Sequence, residues 1–131
     1  MGLLRQSGRV RNEGDFMNEK ILAALMAEKD IAAKVRGVYH LVSPHGCRYP
    51  NIVYSIISDV PALHGDNIEL QSRVTVRIHI VTKDGRYEEI YRYVNRIMLN
   101  LGFMRVQAIE QREDDLKVKI VDYRTGVDFD G

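Results

Sequence analysis

The sequence predicts an α+β domain: one mainly antiparallel β-sheet with helices packed on one of its faces, in the order αβββαββ. Three observations carry this prediction. In QSRVTVRIHIVT, residues 71–82, Ser72, Val74, Val76, Ile78 and Ile80 alternate with Arg73, Thr75, Arg77 and His79, the period of a strand with one face suited to a core. In RYEEIYRYVNRIMLNLG, residues 86–102, Tyr87, Ile90, Tyr91, Val94, Ile97, Met98 and Leu101 recur at helical spacing. Successive strand-like segments are joined by short connections, which favours antiparallel pairing and a sheet covered by helices on one side.

The elements follow in chain order. Residues 1–16, MGLLRQSGRVRNEGDF, are polar and without a clear period, and read as a disordered arm before a single domain over 17–131. Glu13-Gly14 would be encoded by a purine-rich run a few codons before Met17, so Met17 is an alternative start. Asn18 is the expected N-cap of the first helix, with Glu19 at its positive end. Ile21, Leu22, Leu25 and Met26 form its apolar stripe, and Asp30 opens a second short turn that runs to Val35 and ends at Gly37. GVYHLV is a first short strand, SPHGCRYP a loop, and NIVYSIISDV a second strand rich in β-branched residues that Pro61 stops. The third strand is expected over 68–82. Asp84-Gly85 breaks it, Glu88 and Glu89 start the second helix, and Gly102 ends that helix. FMRVQAIEQ and DLKVKIVDYR are the last two strands, the latter setting Leu116, Val118 and Ile120 against Lys117, Lys119 and Val121. The charged REDD between them forms a hairpin tip.

Composition narrows the function classes. At 131 residues the chain suits one domain with its own core. Nineteen basic residues against 18 acidic ones argue against a protein built mainly to grip phosphate backbones, leaving room for a local patch. One cysteine, Cys47, excludes an internal disulfide. No apolar run approaches the roughly 18 residues of a membrane span.

Catalytic chemistry finds little footing. His40, His45, Cys47, His64 and His79 are the soft ligands, but only His45 and Cys47 are close, and no second pair sits at zinc-site spacing. Neither a metal nor a cofactor is expected, and no signature supports a cysteine nucleophile. Glu113, Asp114 and Asp115 read as a solvated turn rather than a paired-carboxylate site. The sequence has no phosphate-binding glycine motif. The Arg73, Thr75, Arg77 and His79 face lacks the stacking aromatics of a single-strand binder. Tyr93, lying off the stripe of its helix, is the expected aromatic at the surface. What remains for the strand-three face is either water or another protein surface, and arginine suits the latter.

The order of motifs resembles a family. A short helix precedes GVY at 37–39 and PNIVYSIISDVP at 50–61. SRVTVRIHIVTKD, a helix in EEIYRYVNRIM, GF at 102–103 and a final strand ending in DYR follow. This pattern, with its Pro-x-Ile-Val-Tyr entry and Ser-Asp-x-Pro exit, resembles the small tail-completion, or tail-terminator, proteins of long-tailed bacteriophages and prophages. It covers nearly the whole chain from Met17 onward, and none of its parts is a catalytic motif. The resemblance implies a non-enzymatic virion protein that forms a ring, commonly of six copies, on the end of the tail tube. Its partners would be further copies of itself, the tail tube protein and the head connector, with DNA only passing through the lumen and no membrane involved. It would act in the virion tail, after assembly in the bacterial cytoplasm. Arg73, Thr75, Arg77 and His79 are then candidate subunit contacts, and Glu113, Asp114 and Asp115 candidate lumen-facing groups. Another head–tail connector component, or a soluble ligand-binding or enzymatic domain, is the alternative.

Overall fold

A computed structural model of the chain describes residues 13–62 and 71–125. The elements are α1 (Glu13–Ala27), α2 (Lys29–Lys34), β1 (Val38–His40), β2 (Asn51–Ala62), β3 (Gln71–Thr82), α3 (Glu88–Asn100), β4 (Phe103–Glu113) and β5 (Leu116–Thr125). The strands form one five-stranded mixed sheet in the order β1-β2-β3-β5-β4. β1 runs parallel to β2, and the other three pairings are antiparallel. The protein is therefore α+β.

Alternation on β3 sorts its side chains as the sequence implies. Val74, Val76, Ile78 and Ile80 lie in the main apolar cluster with Ile52 and Tyr54 of β2 and Val121 and Tyr123 of β5. Ile21 and Leu25 of α1, Ile31 of α2, and Ile90, Val94, Ile97 and Met98 of α3 complete that cluster. All three helices thus share a core with one row of the central strand. Lys119 also belongs to the helix-side row. It is accommodated because its ammonium lies 4.4 Å from the centre of the Tyr91 ring and 3.0 Å from Glu88 Oε2, a cation–π and ionic pairing that offsets its burial. Leu116, Val118 and Ile120 form the opposite row of β5, on the side of His79.

Several local expectations change. α1 begins at Glu13, so Asn18 lies inside the helix rather than capping it. Met17 packs against the core, and that contact rewards helix upstream of Asn18. Of the expected arm, 13–16 are helical, while 1–12 lie outside the described residues. Met26 is exposed, because a stripe centred on Ile21 and Leu25 turns the next position about 100° away. Pro61 does not stop β2, which pairs with β3 as far as Ala62. β1 flanks β2 only from Ile52 to Tyr54, so among the described residues Pro61 sits on a free edge, where a strand tolerates a missing N–H. β3 is described from Gln71 to Thr82, and the expected strand residues 68–70 lie outside the described residues. Tyr93 is half-buried against the core, since α2 lies beside α3, tied to it by Lys34–Glu89 at 3.0 Å and Arg96–Asp30 at 3.6 Å.

β4, at one border of the sheet, and β2, which lies beyond the short β1 at the other, each carry an irregularity. The β2–β3 register shifts between Ile56 and Ser58, and the β4–β5 register shifts between Arg105 and Gln107. Ile57 and Val106 are the extra residues of these β-bulges, and both side chains are exposed.

Candidate interaction face

The face of the sheet away from the helix-side cluster is read from register. His79 stands between Val53 of β2 and Ile120 of β5, Arg77 between Ser55 and Asp122, and Thr75 between Ser58 and Arg124. Arg73 faces Val60. The bulge in β4 brings Gln107 opposite Asp122, which continues the row onto a fourth strand.

This row is a bonded structure. Arg77 donates to both carboxylate oxygens of Asp122, Nε to Oδ1 at 2.8 Å and Nη2 to Oδ2 at 3.0 Å. Gln107 Nε2 donates to Oδ2 at 2.8 Å. Asp122 is only 4% exposed, although the Arg77 side chain keeps 36% of its surface. The guanidinium holds the Asp122 carboxyl below its ordinary range against the opposing effect of burial, and the Gln107 amide helps. Arg124 Nε lies 3.5 Å from Thr75 Oγ1. His79 is half-buried, and burial lowers its pKa, with Arg77 adding to the effect and Glu113 and Asp122 opposing it. The imidazole is therefore neutral at neutral pH.

Four candidate residues thus share a face but differ in character. Arg77 is committed to Asp122, Thr75 is buried, and His79 is half-buried among Val53 and Ile120. Arg73 is exposed and forms no ion pair among the described residues. Sequence reasoning missed Asp122 and Gln107: the Arg77–Asp122 bond spans 45 residues of chain and the Gln107–Asp122 bond 15. It also missed an apolar border: Ile57 and Val60 on β2, and Met104, Val106 and Ile109 on β4, are all exposed. β4 is exposed from its second residue to its last, a signal present in FMRVQAIEQRE as apolar residues without strict alternation.

At the hairpin tip Glu113 ends β4, Asp114 takes φ +57°, and Asp115 precedes β5. All three are exposed. The tip shares an end of the sheet with Tyr49, whose phenol pKa is raised by the Cys47 thiol, by burial and by the charges of Cys47 and Asp115. Cys47 Sγ accepts from Asn51 Nδ2 at 3.4 Å, His40 stacks 5.2 Å from Tyr54, and His45 is exposed. His64 lies outside the described residues. No group of three His, Cys, Asp or Glu side chains gathers as a metal site would need among the described residues, and no helix there is long and apolar enough to cross a membrane.

The chain matches no family model and no curated protein. The arrangement itself can bind: it offers a rigid polar row flanked by two apolar strand edges.

Proposed function

We propose that the protein is a tail terminator of a long-tailed phage or prophage, a non-enzymatic subunit that closes a ring on the end of the tail tube. One observation supports this reading most: among the described residues, β2 beyond the short β1 and β4 on the opposite side of the sheet both present an open edge with exposed apolar side chains. β2 has no strand beside it from Ser55 to Ala62 among the described residues, and β4 pairs only with β5. Ile57 and Val60 line one border, and Met104, Val106 and Ile109 the other. Unpaired strand edges recruit further strands, and joining two different edges of identical copies is a heterologous contact, which closes into a ring when the rotation permits. The motif order described above supplies the tail-end setting, and the hairpin-tip carboxylates would repel passing DNA.

In a phage carrying the gene, deletion should leave tails of abnormal length that fail to join heads, seen by electron microscopy. Met104→Lys with Ile109→Lys should reproduce that defect while the isolated chain keeps its unfolding midpoint, since exposed substitutions usually change stability by only about 0.5 kcal/mol. Normal tails after deletion would refute the reading. Normal tails in the double variant alone would refute the edge assignment.

A further inference from the structure

Where β2 begins and β3 ends, Arg36, Cys47, Arg48, Tyr49 and Lys83 line an open cavity of about 320 Å³. Three of these side chains are cations, and none is a carboxylate. Elsewhere on the chain Lys34, Arg77, Arg86, Arg96 and Lys119 each reach an acidic partner. Arg36, Arg48 and Lys83 form no ion pair among the described residues. An anion in this recess would meet three cations that have no ion pair of their own among the described residues.

The cations come from three separate segments, each held by its backbone. Arg36 N–H donates to Pro50 O at 2.7 Å. Arg48 O accepts from Asn51 Nδ2 at 3.0 Å, and Asn51 is a fully buried residue at the head of β2. Lys83 follows the last residue of β3, its carbonyl 3.4 Å from Lys117 Nζ and its own ammonium 5.5 Å from the centre of the Tyr49 ring. The backbone at each of the three positions is therefore held beside the recess that these residues line. Tyr49 adds a hydroxyl that keeps its proton at neutral pH and can donate it to an oxyanion.

We propose that this cavity binds a phosphoryl group, with Arg36, Arg48 and Lys83 compensating its charge and Tyr49 donating a hydrogen bond. Three cations lining one recess exceed what one carboxylate requires and suit a group of one to two negative charges with several acceptor oxygens. The group belongs either to a small phosphorylated molecule or to the backbone of a nucleic acid strand. This site is independent of the ring-forming edges.

The test titrates the full chain by amide NMR with sodium phosphate, with sodium pyrophosphate and with a short DNA duplex, at constant ionic strength. Saturable shifts at residues 36, 48, 49 and 83 are expected, and Arg36→Ala with Arg48→Ala should weaken binding by about tenfold or more, the scale of one lost charge-assisted hydrogen bond. Lys83→Gln, at an exposed position, should weaken it in the same direction and serves if the double variant misfolds. Phosphate or pyrophosphate binding without duplex binding assigns a small ligand. Duplex binding that phosphate competes away and the variants lose assigns a nucleic acid backbone. Non-saturating shifts with all three probes, or affinities unchanged in folded variants, overturn the proposal.

Discussion

The two faces of the sheet are shielded from water to different degrees and by different means: on the outer one Arg73 is exposed and Arg77 and His79 are half-buried. Val74, Val76, Ile78 and Ile80 share one apolar cluster with buried side chains from the three helices. On the other side Val118 is 2% exposed and Ile120 6%, and neither belongs to the helix-side cluster. Side chains standing across the ladder screen each other there, with the Arg77–Asp122–Gln107 row and His79 above the backbone. The first row relies on apolar area, which is insensitive to pH and to the exact partner. The second relies on specific pairing, which fails when one partner is lost.

That contrast can be broken most severely from the apolar side. Ile78→Ala removes a fully buried side chain from the middle of the helix-covered row, and urea unfolding should register a loss of about 2–5 kcal/mol. A cost typical of surface positions would mean the row is not packed as described.

On the paired side, Arg77→Ala leaves the Asp122 carboxylate buried with only Gln107 as donor. The expected cost is about 1–3 kcal/mol, the usual penalty for an orphaned buried polar group, tempered by the partial exposure of the arginine. Arg77→Leu combined with Asp122→Leu should recover much of it. Equal and additive losses in a double-mutant cycle would show that the pair is not coupled.

A smaller effect appears in the pH dependence. The pKa of His79 is lowered by burial, so the unfolded chain binds its proton first. Stability is then fully present above the ordinary value of 6.5 and declines as pH falls below it. The Asp122 pKa is lowered by Arg77, so its contribution is present above the ordinary 3.8 and is lost only at lower pH, through its depressed folded value. His79→Gln should flatten the first decline and leave the second. An unchanged profile would mean the imidazole is solvated. The Ile78→Ala protein should keep both slopes, since it touches neither group.

The least perturbing change is Cys47→Ser with His45→Ala. His45 is exposed, and a serine hydroxyl can still accept from Asn51 in place of the thiol, so the unfolding midpoint should move by less than about 0.5 kcal/mol. A larger shift would place the loop among the pairing-dependent parts of the molecule.

These differences also explain what could be read beforehand. The periods of β3 and α3 are local, so the apolar row and Ile90, Val94 and Ile97 were visible as buried positions. The Arg77–Asp122 bond depends on β5 entering between β3 and β4, and no alternation pattern states strand order. Gln107 reaches the carboxylate only because a bulge shifts the register, and Tyr93 is covered by a short helix distant in sequence. The basic cavity draws on three segments between Arg36 and Lys83, each of which alone reads as an ordinary loop or strand end.

The bulges at Ile57 and Val106 have a consequence for the life of the free protein. Open borders of this length would let chains stack indefinitely if they were flat, as in fibrils. An extra residue in each border strand bends it and increases its twist, so successive copies cannot continue a straight ladder. Growth in that direction accumulates curvature and favours closed, finite assemblies over threads. Removing one residue at Val106 should straighten the border and make concentrated solutions of the protein turn turbid, a fault of colloidal behaviour rather than of folding.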